Sequence, residues 1–184
     1  FRGSLFGDGR FNIAPDWNWG FNAELVSDTT YLRKYSLSND TDLINRLYVE
    51  HFSGRNAITA DGYYFKSLLT RVNGDDIPWV APLVNVDHDF GNVLGDGRLM
   101  FNANMMVLGT PGGLDSRRLS TTFSWEKPFT SAAGQVYRFF ANVRGDIYST
   151  DKSPISTVPG SYYGAESIAR GLPTAGVEVS YPFV

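Results

Sequence analysis

The chain contains no cysteine among its 184 residues. That absence excludes disulfide stapling, the usual device of small secreted domains, together with thiol chemistry and cysteine-ligated zinc. Histidine is almost missing as well, with only His51 and His88, which leaves little material for a Ser-His-Asp triad or an imidazole metal site. No run approaches the roughly 18 unbroken apolar residues that a membrane-spanning helix needs. Lysine and arginine number 16 against 19 acidic residues, a formal charge of −3. Apart from Arg117-Arg118 the cations do not cluster, so no nucleic-acid surface is expected. Mean hydropathy is slightly negative; this fits a soluble protein and equally a transmembrane barrel, whose polar lumen face dilutes the average.

What the chain has in abundance is alternation. In Trp17-Asn18-Trp19-Gly20-Phe21-Asn22-Ala23-Glu24-Leu25, the residues Trp17, Trp19, Phe21, Ala23 and Leu25 share one parity and Asn18, Asn22 and Glu24 the other. Side chains on a strand switch faces at every residue, so this is a strand with one apolar and one polar face. About nine such segments follow one another, near 4–13, 17–28, 43–52, 57–69, 79–90, 98–109, 117–127, 136–149 and 172–183, with Pro82 awkward inside the fifth. In the fifth, Val80, Val84, Val86 and Phe90 oppose Asn85, Asp87 and Asp89. In the sixth, Leu99, Phe101, Ala103, Met105 and Val107 oppose Arg98, Asn102 and Asn104. In the eighth, Tyr137, Phe139, Ala141, Val143 and Ile147 oppose Arg138, Asn142, Arg144 and Asp146.

An apolar face of this size needs cover from either a second sheet or a bilayer. Two regularities favour the bilayer. The segments run to about 10–13 residues, longer than the mode of about 5–6 in globular strands and close to the 9–11 of a tilted membrane strand. The connections alternate between short ones near Pro15, Gly54, 91–97 and 128–135 and longer ones near 29–42, 71–78, 110–116 and 150–171, as in outer-membrane barrels. Trp17, Trp19, Trp125, Tyr137, Tyr181 and Phe183 fall near the short-turn rim on the apolar face, where an interfacial aromatic girdle belongs. The expected fold is therefore all-β: a segment of an antiparallel transmembrane β-barrel of about nine meandering strands. Nine strands should not close, which leaves an open curved sheet with bare edges. The chain begins and ends in mid-pattern and reads as a piece of a longer protein.

The segment Leu25-Val26-Ser27-Asp28-Thr29-Thr30-Tyr31-Leu32-Arg33-Lys34-Tyr35, preceded by Trp17-Asn18-Trp19-Gly20-Phe21, resembles the early barrel of the lipopolysaccharide-assembly LptD (organic solvent tolerance, OstA) family. There a strand ends in Val-Ser-Asp and an aromatic-rich stretch follows. Tyr63-Tyr64-Phe65, the Pro78–Val86 strand, Arg117-Arg118-Leu119 leading to Trp125-Glu126-Lys127-Pro128-Phe129, and Arg144-Gly145-Asp146-Ile147-Tyr148 are similar to that family in the same order, with an alphaproteobacterial flavour. The resemblance implies a Gram-negative outer-membrane location and a role in transporting and assembling lipopolysaccharide. Residues 1–184 would form part of a C-terminal barrel of about twenty-six strands, with the periplasmic jelly-roll domain outside this chain. It implies as partners the lipoprotein plug LptE, the periplasmic bridge protein LptA acting through the missing domain, and outer-membrane lipid.

Within that reading, Asn22, Glu24, Asn102, Asn104, Arg138, Asn142, Arg144 and Asp146 are the lumen-facing candidates. They would give a wet path of mixed charge for sugars and phosphates. Arg138 and Arg144 can pair bidentately with phosphate; the plainer alternative is cross-strand pairing with Glu126 and Asp146. No enzyme, cofactor or metal is expected. Asp87 and Asp89 share one face of a strand while His88 points to the other, so Asp87-His88-Asp89 cannot converge on a metal. Gly7-Asp8-Gly9 and Gly95-Asp96-Gly97 lack the rest of a phosphate loop, and Asn39-Asp40-Thr41-Asp42 lacks the spaced ligands of a calcium site. The alternatives are another outer-membrane barrel (a lipase- or protease-type enzyme or a porin) and a soluble carbohydrate-binding β-sandwich.

Overall fold

The computed structural model describes residues 2–151, 153–154, 162–163 and 165–182. Nine strands form one antiparallel sheet: β1 (Ser4–Ala14), β2 (Trp17–Val26), β3 (Asp42–Ser53), β4 (Asn56–Ser67), β5 (Trp79–Val93), β6 (Gly97–Gly109), β7 (Ser116–Thr130), β8 (Val136–Thr150) and β9 (Glu166–Ser180). Each pairs with its neighbours in chain order, and β1 and β9 are the two edges. A two-residue ladder, Ser153–Pro154 with Tyr162–Tyr163, lies apart in the connection between β8 and β9. One rim carries the short turns 15–16, 54–55, 94–96 and 131–135. The other carries 27–41, 68–78, 110–115 and 151–165. The expected alternation of connections is thus cleaner than the sequence showed, because the strands extend further into 91–93 and 128–130.

The two faces can be followed residue by residue across the sheet. Phe11, Trp19, Val49, Ala60, Val84, Met105, Leu119, Ile147 and Ala169 are successive cross-strand partners, one from each strand. This row starts near the short-turn end of β1 and finishes near the long-loop end of β9, a progressive stagger of the kind that closing a barrel requires. Among the described residues nothing covers the apolar face: the buried apolar side chains are Val26, Leu32, Leu43 and Leu68, while Leu25, Val143 and Val179 are 50%, 58% and 56% exposed. The chain exposes 12282 Å², against about 8,800 Å² for a compact globule of its 20.4 kDa. A β-sandwich core is therefore absent among the described residues.

Several local expectations need correcting. Val80 shares a face with Tyr63 and Leu108, and not with Val84, because the register shifts between Val80 and Leu83. The extra residue there also resolves the awkward Pro82: a bulge is where proline can sit without breaking a ladder. β5, β7, β8 and β9 reach 15 residues, longer than the expected strands. β9 starts at Glu166 and not near 172, since the small residues Ala169, Gly171, Pro173 and Ala175 on its apolar face left no alternation to read. Phe183 lies outside the described residues. The connection 27–41 carries a short helix α1 (Tyr31–Lys34) whose Leu32 joins Val26, Leu43 and Leu68 in the one small core, beside Tyr31.

Candidate functional site

The polar face has its own row. Asn12, Asn18, Glu50, Thr59, Asn85, Asn104, Ser120, Asp146 and Arg170 are successive cross-strand partners from β1 to β9. Every member is polar, and each is one residue removed from an apolar-face residue on its own strand. The row is stitched by side chains. Asn85 Nδ2 donates to Thr59 Oγ1 at 3.3 Å, Asn104 Nδ2 to Asn85 Oδ1 at 2.6 Å, and Ser120 Oγ to Asp146 Oδ1 at 2.6 Å. Donors and acceptors chained in this way polarise one another and hold one geometry.

The eight residues singled out from sequence all lie on this face. Asn104 and Asp146 belong to the row itself. Asn102 donates to Asp87 Oδ1 at 2.5 Å. Arg144 Nε is 3.0 Å from Asp146 Oδ1, and Arg170 Nε is 2.8 Å from Asp146 Oδ2, so one carboxylate serves two guanidinium groups. Arg138 reaches Glu178 at 2.5 Å and Glu126 at 3.9 Å. Asn142 pairs across with Ser124 and Thr174. Asn22 and Glu24 stand apart from these, at the β2–β3 junction, where Asn22 Nδ2 donates to the Ile44 carbonyl at 2.9 Å.

Several members of this surface lie outside those eight, although the alternation already sets Thr59, Asn85, Asp89, Arg98 and Ser120 on the polar side of their strands. Arg46 and Asp61 pair at 2.5 Å, with the guanidinium 4.2 Å above the Tyr48 ring. Arg98 meets Asp89 at 2.8 Å. Thr59, Asn85 and Ser120 are neutral residues that join the row only through register. Ile44, Tyr48 and Phe52 share the face of Arg46 and mask its alternation; the lone cation in an apolar run was the one signal that pointed to it.

On the opposite face the rims are aromatic. Trp19 stacks on Phe11 at 4.9 Å, Trp17 on His51 at 4.6 Å, and Tyr137 lies 6.1 Å from Phe129. All are near the short turns, as is Trp125, whose Nε1 donates to the Leu94 carbonyl at 3.2 Å. Trp79 and Tyr64, cross-strand partners on β5 and β4, mark the other rim. His88 faces Phe101 and packs edge-on to Phe90 at 4.5 Å, while Asp87 and Asp89 pair with Asn102 and Met100 on the polar face. Among the described residues no three His, Asp or Glu side chains gather to hold a metal.

Such a surface presents a row of hydroxyls, amides and paired charges to whatever faces it. No curated protein matches the chain. The family model described as LPS transport system D, LptD, matches residues 1–184. The chain belongs to the LptD family of outer-membrane lipopolysaccharide transport proteins, which are transporters rather than enzymes.

Proposed function

We propose that this chain is a stretch of barrel wall in the lipopolysaccharide translocon of the outer membrane, with its apolar face against hydrocarbon and its polar face lining the lumen. The observation that carries the reading is the pair of neighbouring rows, one polar and the other apolar, with no second layer of protein over either among the described residues. An amphiphile with sugars, phosphates and acyl chains needs both a wet path and contact with lipid. The polar row supplies hydroxyls, amides and paired charges for the first. The aromatic rims would sit at the two headgroup levels.

On this reading residues 1–184 are part of a larger C-terminal barrel domain, whose remaining strands would pair with the edges of β1 and β9. LptE would plug the lumen, and LptA would deliver lipopolysaccharide through a jelly-roll domain not contained in this chain. The absence of cysteine from the segment offers a direct test. Single cysteines at Asn142 and Val143 in the full-length protein in membranes should differ sharply. A fluorophore at 143 should be quenched by nitroxide lipids, and position 142 should react with a charged aqueous maleimide. Equal aqueous labelling at both positions would refute the wall.

A further inference from the structure

Arginines on the polar face are held by carboxylates: Arg10 by Glu50, Arg46 by Asp61, Arg98 by Asp89, Arg138 by Glu178, and Arg144 and Arg170 by Asp146. Arg118 is the exception among the described residues. Its Nη2 donates to Asn104 Oδ1 at 2.6 Å, and its Nε is buried without a partner. A neutral amide therefore fixes the guanidinium, and among the described residues no carboxylate lies within ion-pair distance of it. A buried donor left unpaired is costly, and a surface that neutralises its other cations has retained this one.

Arg118 opens onto a groove of about 430 Å³ on the polar face, lined also by Asp87, Asn102, Asn104, Ser120, Thr122 and Arg144. Arg144 contacts Asp146 through Nε, which leaves N–H donors of its fork beyond that pair. The one carboxylate of the groove, Asp87, accepts from Asn102 Nδ2. Two guanidinium groups set among amides and hydroxyls match a phosphate carried on a sugar: the fork of donors takes the anion, and the remaining amides take the ring hydroxyls. No aromatic or large aliphatic side chain lines the groove, whereas protein partners anchor on such residues.

We propose that this groove, centred on Arg118, binds the phosphate of a phosphorylated saccharide. Resting on the wall reading above, this places there the anionic head of the transported amphiphile. The site is a waypoint, because a wet, open groove offers enough attraction to recruit the phosphate and too little to hold it.

The test uses the full-length protein, with its partners, reconstituted in phospholipid vesicles. A photo-crosslinking side chain replaces Thr122 in the groove or, as a distant control, Asn22. The probes are purified lipopolysaccharide and the same material treated with phosphatase. Arg118→Gln should lower capture of lipopolysaccharide at 122 by about tenfold, the size expected from one charge-assisted contact. Arg118→Lys should lower it much less, and capture at 22 should not change. In the unsubstituted protein, phosphatase treatment alone should reproduce the loss at 122, a comparison that needs no arginine variant. Equal capture at 122 with and without Arg118, equal capture of the phosphatase-treated probe, or capture of a polypeptide at 122 in place of lipopolysaccharide would overturn the proposal. Capture at 22 with none at 122 would overturn the site and spare the wall; capture at neither position would remove both.

Discussion

The indole of Trp79 lies over Gly109, its direct cross-strand partner, in the space where any other residue would carry its Cβ. Trp125 covers Gly97 in the same way at the opposite rim, and Tyr48 and Phe140 cover Gly20 and Gly176 on the polar face. Glycine weakens a strand through entropy and a missing side chain, and a ring laid across it restores packing while pinning the register. Both tryptophans thereby lie along the sheet surface near its two rims. Gly109→Ala should push the Trp79 ring outward and cost about 1–3 kcal/mol through overcrowding. Adding Trp79→Ala should recover part of that loss, so the two changes should fail to add. Denaturant titration of the folded barrel, followed by tryptophan emission, measures each corner of the cycle. Additive losses would mean that the ring and the glycine are independent.

Charge substitutions should separate the two faces in a second way. Val143 is 58% exposed on the apolar face, at the centre of the 136–150 strand. Val143→Arg should destabilise the inserted barrel by about 2–4 kcal/mol, the penalty for a cation near the bilayer midplane. Asn142→Arg, one residue away, should cost far less, since it joins a surface that already holds Arg138 and Arg144. Folded protein in outer-membrane fractions, judged by its heat-modifiable migration, gives the comparison. Similar losses for both would contradict a lipid-facing Val143.

How much of this was readable beforehand depends on what each strand encodes by itself. Leu99, Phe101, Ala103, Met105 and Val107 recur at every second position, and β6 emerges within one residue of the expected bounds although Met100, Met106 and Leu108 interrupt the polar parity. Val80 was placed on the wrong face since a bulge inserts one residue and inverts the parity beyond it, and no single-strand pattern records a bulge. The core of Val26, Leu32, Leu43 and Leu68 was invisible for a different reason. One buried leucine in a helix of four residues has no periodicity to detect. Asn104 and Asp146 stood out as polar alternates. Their continuation through Thr59, Asn85, Ser120 and Arg170 rests on the offsets between strands, which turn geometry and packing set together.

The junction of β2 and β3 deserves a prediction of its own, because its backbone ladder stops at Asn22 and Arg46. Beyond that point side chains take over. The Ile44 amide donates to Glu24 Oε2 at 2.8 Å, the Glu24 amide donates to Asn45 Oδ1 at 2.8 Å, and Asn45 Nδ2 donates to the Glu24 carbonyl at 3.2 Å. The widening gap is then filled by Leu32 and bridged by Lys66, whose Nζ donates to the Val26 carbonyl at 3.0 Å. Asn45→Ala would leave both backbone groups of Glu24 without partners, at a cost of about 1–3 kcal/mol. Amide hydrogen exchange should rise at residues 24–26 and 43–45 and stay unchanged in the fully paired β6 and β7. Glu24→Gln, which keeps an acceptor for the Ile44 amide, should show a smaller rise. Unaltered exchange in Asn45→Ala would mean that the loop core alone closes the gap.

Acid should loosen the same rim through Asp28, which lies in the connection between β2 and α1. Thr30 donates to Asp28 Oδ1 from its hydroxyl at 2.8 Å and from its amide at 3.1 Å, and Arg2 Nε stands 3.3 Å from Oδ2. The Thr30 hydroxyl is the main cause that holds this carboxyl below the ordinary value of 3.8, with its amide and Arg2 adding to it. A carboxylate with a lowered pKa in the folded chain binds fewer protons there than when unfolded. Its contribution is complete above the ordinary value and fades as the pH falls through the lowered one. At neutral pH, Asp28→Asn should therefore raise the exchange rate of the Thr30 amide relative to the unsubstituted chain, because asparagine accepts without charge and loses Arg2. As the pH falls through the lowered value, beneath 3.8, the two proteins should converge, since the folded aspartate becomes protonated only there. A difference that stays constant down to the acid limit would show that shape, and not ionisation, carries the anchor.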